Sequence, residues 1–124
     1  GSARREEIEI ARDRGATIVR AAVVHAEGIE AALRHVPEGS DILVTFDCDA
    51  IDCGAMPAVV LASPGGLTYT QVTGLITGAA SKGRIVGFDL MEFVPGKDAD
   101  GTSTFTAASV LAHVVGTLAN APRG

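Results

Sequence analysis

The sequence predicts an α/β domain with a parallel sheet, and two kinds of segment carry that expectation. DILVTFD (41–47) and RIVGFDLME (84–92) are strongly apolar runs bounded by polar residues, the composition of parallel strands covered on both faces. LTYTQVTGLITGAAS (67–81) and FTAASVLAHVVGTLA (105–119) follow them in turn, long and periodic enough for helices. A strand, a helix and a second strand in that order call for a right-handed crossover between parallel neighbours.

The elements follow in order. ARREEIEIARDR (3–14) places Ile8 and Ala11 among charges at helical spacing, and Gly15 is a stop signal. TIVR (17–20) is β-branched and predicts a short strand. AEGIEAALRHV (26–36) puts Ile29, Leu33 and Val36 on one helical face before Pro37 and Gly39 end it. The apolar strand 41–47 comes next. From Ala50 to Gly66 the pattern dissolves into glycines, prolines and short apolar pieces, a long loop of the kind that often carries function. Helix 67–81 has Val72, Leu75, Ile76 and Ala79 at its spacing, Thr68 as N-cap and Gly83 as stop. Strand 84–92, the loop VPGKDADGTS and a mostly apolar closing helix complete the chain.

Composition narrows the function. The chain has 124 residues, 47% of them hydrophobic, which suits one domain with one core. Its formal charge of -5, interspersed charges and few aromatic residues argue against nucleic-acid binding. No apolar run approaches the roughly 20 residues of a membrane span, and GSARREEIE lacks the order of a signal peptide. A cytoplasmic location without membrane contact is the default expectation. Gly1 and Ser2 read as a tag remnant, leaving 3–124 as natural sequence.

Open parallel sheets place ligands beyond the carboxyl ends of their strands. Asp47 and Asp49 leave the first apolar strand and Glu92 leaves the second. On a strand, residues two apart project to the same side, so Asp47 and Asp49 would form a pincer of hard oxygen donors suited to Mg²⁺ or Mn²⁺. A DxD is equally compatible with capping a turn. Asp52, past the strand, fits the structural role of accepting backbone N–H bonds. A partly enclosed Glu92 could hold a planar guanidinium through two hydrogen bonds, the alternative being a solvated strand end. Asp89, inside a strand, needs hydrogen-bond donors and reads as a supporting residue.

His25, His35 and His113 stand at no metal-ligand spacing and read as surface or structural histidines. Cys48 and Cys53 form neither a zinc site nor a disulfide framework and read as small buried hydrophobes. Two carboxylates are too few ligands for a stable metal site. A Mg²⁺-dependent phosphotransferase would want a lysine beside its glycine loop, and PGG (64–66) has none.

Taken together, TFDCDAID (45–52), PGGLTY (64–69) and GFDLMEFVP (87–95) resemble, in order and spacing, the second half of the ureohydrolases, the arginase and agmatinase family. MPAVVLASPGGLTY is more similar to bacterial agmatinase-type members. The resemblance implies part of a three-layer αβα arginase-like fold with a mainly parallel sheet. It also implies two Mn²⁺ ions in the complete enzyme, with Asp47 bridging them, Asp49 binding one and Glu92 gripping the substrate guanidinium. The reaction implied is hydrolysis of an agmatine-like guanidino compound to urea and an amine, by a trimer or hexamer, with Asp52 and Asp89 in supporting places. The family's other ligands lie in GGDH-type and DAHxD segments, which this chain lacks. The chain is therefore expected to be a C-terminal portion, inactive or nearly so by itself; the alternative is a non-catalytic folding or assembly module. Cys53 stands where the family motif normally has proline, and Ser109 where many relatives have arginine.

Overall fold

The computed structural model describes residues 4–122. The expected tag remnant, Gly1 and Ser2, and Ala3 at the start of the expected first helix lie outside the described residues. Helix α1 spans Arg5–Asp13, and the Glu7 carboxylate accepts the Arg4 backbone N–H at 2.8 Å, satisfying one of the free donors at the helix start. None of its residues is buried.

Two sequence expectations fail in the next stretch. Residues 17–20 are not a strand. Thr17, Ile18 and Val19 favour extended backbone, but a strand exists only where a neighbour completes its ladder, and no described segment pairs with them. The single helix expected over 26–36 is two helices, α2 at Ala21–Glu27 and α3 at Glu30–Leu33. Gly28 separates them because it takes a φ of +87°, open to glycine at little cost. The valines before it enter α2, where Val24 is buried, so packing overrides their β preference.

The sheet follows expectation closely. Strand β1 spans Asp41–Asp47 and β2 spans Arg84–Met91, paired in parallel from Asp41 opposite Arg84 to Asp47 opposite Met91. The register shifts between Ile42 and Leu43, leaving Val86 as the extra residue of a bulge. Helix α4, Tyr69–Lys82, makes the crossover. Its start is a capping box: Thr68 Oγ1 accepts the Gln71 N–H at 3.1 Å, and Gln71 Oε1 accepts the Thr68 N–H at 3.0 Å. Helix α5, Thr102–Ala119, begins three residues before its expected start because Asp98 accepts the N–H groups of Ser103 and Thr104 and Asp100 accepts that of Thr102.

One core joins these elements. Phe46 of β1, Val72 and Ile76 of α4, and Ala107, Val110 and Val114 of α5 enclose Cys48, Ile51, Met56 and Val59, with Phe88 and Leu90 of β2 against them. The loop is tied to α5 through Ser103 Oγ, which accepts the Ala58 N–H at 2.9 Å, and Thr106 Oγ1, which donates to the Ala55 carbonyl at 2.8 Å. Helix α5 reaches by length and composition the lower limit of a membrane span, with 18 residues and mean hydropathy 1.2, only 28% buried. Its hydroxyl bonds and core residues place it as a helix packed on this domain.

The strands are not covered on both faces. Leu43 is 68% exposed and Val86 55%, because the helices cover the Phe46 side of the sheet and no described element covers the other.

Candidate functional site

Strand β1 delivers Asp47 as its last residue, and the chain turns at once into a short 3₁₀ turn, Cys48–Ala50. Asp47 Oδ1 accepts the Asp49 backbone N–H at 3.3 Å, which caps the turn. Strand alternation therefore does not place Asp49, contrary to the expectation from spacing; the turn folds its carboxyl back beside Asp47. Burial, and then the charge and hydrogen bonding of Asp47, push the Asp49 carboxyl above its ordinary range. Two carboxylates crowded this way repel each other, and a cation between them relieves the repulsion.

Cys48 lies between them, fully buried. Burial and the nearby charges of Asp47, Asp49 and Glu92 push its thiol up to about 11. The thiol stays protonated at neutral pH, which makes it an inert core residue as its composition suggested. Asp47 pairs with Met91 across the ladder, so Asp47, Asp49 and Glu92 all lie at the carboxyl end of the sheet. Cys53 is a free cysteine, half-buried beside the same turn.

Glu92 immediately follows β2 with a φ of +64°, the one non-glycine residue in left-handed backbone among those described. Nothing in the sequence signals this, since DLMEF contains no glycine or asparagine at the turn. Such a conformation is held only where the surroundings enforce it, and it concentrates at functional sites. The Glu92 side chain is exposed, not partly enclosed as its strand-end position suggested, because no described element covers that end of β2.

Asp52 sits apart from this group in role. Its Oδ1 accepts the Gly54 N–H at 3.0 Å and its Oδ2 accepts the Gly65 N–H at 2.7 Å, and these bonds hold its carboxyl below the ordinary range. It braces the loop, as its position after the strand suggested. The sequence predicts that Asp89, inside a strand, finds hydrogen-bond donors. It is exposed instead, opposite Thr45 on the uncovered face, and makes no side-chain hydrogen bond to a described residue.

Among the described residues no three His, Cys, Asp or Glu side chains come together as a metal-holding group. The histidines are engaged elsewhere: His113 Nε2 with Thr77 Oγ1 at 2.8 Å, His25 with Gly66 and Gln71, and His35 Nε2 as acceptor from Arg34 Nε at 3.4 Å. Asp49 opens onto a cavity of about 280 Å³ whose walls include Ser63, Pro64, Gly65 and Gly66. Asp47 opens onto a neighbouring groove of about 440 Å³ along the unpaired edge of β1.

Fold and site define an α/β protein that gathers carboxylates at the carboxyl ends of two parallel strands. The profile of the arginase family matches residues 1–116, and the chain belongs to that family. The chain is 32% identical over 114 residues to the N(1)-aminopropylagmatine ureohydrolase of Thermus thermophilus, covering 90% of this chain and 38% of that protein. The crystal structure of the agmatine ureohydrolase of Thermoplasma volcanium superposes with a TM-score of 0.83 and 31% identity, over 96% of this chain and 40% of that one. The formimidoylglutamase of Bacillus subtilis, at 18% identity, shares the fold with a TM-score of 0.86 over 97% of this chain and 39% of that one. The chain thus spans about two-fifths of the length of the relatives it matches.

Proposed function

We propose that this chain is the C-terminal portion of a manganese-dependent amidinohydrolase acting on a guanidino compound of the agmatine type. The observation that carries the reading is the crowded pair Asp47 and Asp49, with the Asp49 carboxyl raised by its neighbour and by burial, next to Glu92 in enforced backbone. The pair fits a hard divalent cation, and the shortage of further ligands fits a chain much shorter than its relatives.

The roles divide by chemistry. Asp47 and Asp49 would hold Mn²⁺ through carboxylate oxygens, with further ligands needed from outside the described residues. Bound Mn²⁺ supplies Lewis acidity and a water made nucleophilic at neutral pH. Glu92 would accept two N–H bonds from the planar guanidinium and so fix its orientation. Asp52 keeps the loop in place behind them.

The test is urea release from agmatine and related guanidino compounds by the longer protein that contains this sequence. Urea forms only with Mn²⁺ present, and Asp47→Ala abolishes it; turnover that survives chelation sinks the reading. The exposed Leu43, Val86 and Met91 favour a second reading, a non-catalytic assembly module. It predicts no urea from any guanidino compound tested, with or without the upstream sequence.

A further inference from the structure

We propose that His25 is a positioning residue for the metal carboxylates, pinning the Pro64–Gly66 turn onto the segment that carries Asp49. The inference rests on Asp49 being a metal ligand. His25 Nε2 lies 3.0 Å from the Gly66 carbonyl and 3.4 Å from that of Gly65. A carbonyl can only accept, so Nε2 carries the proton and donates. Nδ1 is then free to accept, and the Gln71 side-chain amide donates to it at 3.0 Å. The carbonyl oxygen of that same amide is fixed by the Thr68 N–H in the α4 capping box. The helix start therefore orients the imidazole, and the imidazole holds the turn.

Gly66 transmits the hold. A side-chain carbon there would lie 2.6 Å from the Asp52 nitrogen, 2.7 Å from the Ile51 carbonyl carbon and 2.9 Å from the Ala50 oxygen, so backbone rests directly on backbone. At the next residue the Leu67 N–H donates to the Ala50 carbonyl at 2.8 Å and the Leu67 carbonyl accepts the Asp52 N–H at 2.9 Å. Ala50 is the residue after Asp49 and closes its 3₁₀ turn. The path from His25 to Asp49 thus runs through two hydrogen-bonded contacts. His25 is exposed, so replacing it empties no part of the core.

Amide hydrogen exchange followed by NMR tests this on the chain itself. His25→Ala speeds exchange at Leu67 and Asp52 by about fivefold, the effect of one lost hydrogen bond, and shifts the Asp49 amide resonance, while the β1–β2 ladder amides keep their rates. His25→Gln, whose amide reaches the Nε2 position, restores rates and resonance. His25→Asn, which reaches only the Nδ1 position, does not. Unchanged exchange in His25→Ala, a rise shared equally by the ladder, or identical behaviour of the Gln and Asn variants overturns the proposal. No metal or substrate enters this experiment, so its failure is separate from failure of the amidinohydrolase reading, which urea release decides.

Discussion

Burial and Asp47 hold the Asp49 carboxyl above its ordinary value of 3.8, so the folded chain keeps that proton to higher pH than the unfolded chain does. Stability contributed by this group is therefore greatest in acid and falls as pH rises above 3.8. Asp49→Asn removes the repulsion: in the absence of metal it raises the melting temperature at pH 7, and the gain disappears below pH 3.8, where both forms are neutral. Asp52, Asp98 and Asp100 have the opposite sign, since backbone and hydroxyl donors lower their carboxyls; their support is present above 3.8 and lost as pH falls through the lowered values. Equal melting of Asp49→Asn and the parent chain at neutral pH would contradict the crowding described here. A second residue-scale outcome concerns Gly66, where any side chain meets backbone on three atoms. Gly66→Ala destabilises by about 1–3 kcal/mol in denaturant titration, the range for forcing atoms into filled space.

At the scale of elements, α4 depends on its capping box, and Thr68→Ala costs about 1 kcal/mol in the same titration. That box was half legible in the sequence, because Thr68 before a helical run is a recognisable N-cap, while its use of Gln71 to steer His25 depends on a contact 46 residues apart. Strands β1 and β2 were legible to within a residue because a strongly apolar run of their length leaves few alternatives. Two physical reasons make the segment 17–36 illegible in the sequence. Strand formation at 17–20 needs a partner that local composition cannot report, and Gly28 acts as a break only in the left-handed conformation it takes. In the site, Asp47 and Asp49 were legible as a pair, but through the wrong geometry: a turn, and not strand alternation, brings them together. The left-handed backbone at Glu92 left no trace in residue type.

Over the whole molecule, one sheet face and the free edge of β1 lack a described neighbour, and Leu43, Val86 and Met91 stand on it exposed. An apolar face beside an unpaired parallel edge favours association. Light scattering should show apparent mass rising with concentration, and Leu43→Lys should suppress the rise; a monomer throughout would count against an exposed interface. The proposed identity as part of an amidinohydrolase accounts for that face and the shortage of ligands together, since the chain spans only about two-fifths of the length of the relatives it matches. Its central claim is that Asp47 and Asp49 are one side of a manganese site. Room-temperature electron paramagnetic resonance of free Mn²⁺, titrated with the chain, tests it most directly. The expected result is weak uptake that Asp47→Asn and Asp49→Asn each abolish and that Glu92→Gln leaves in place; uptake equal in all four proteins overturns the manganese assignment.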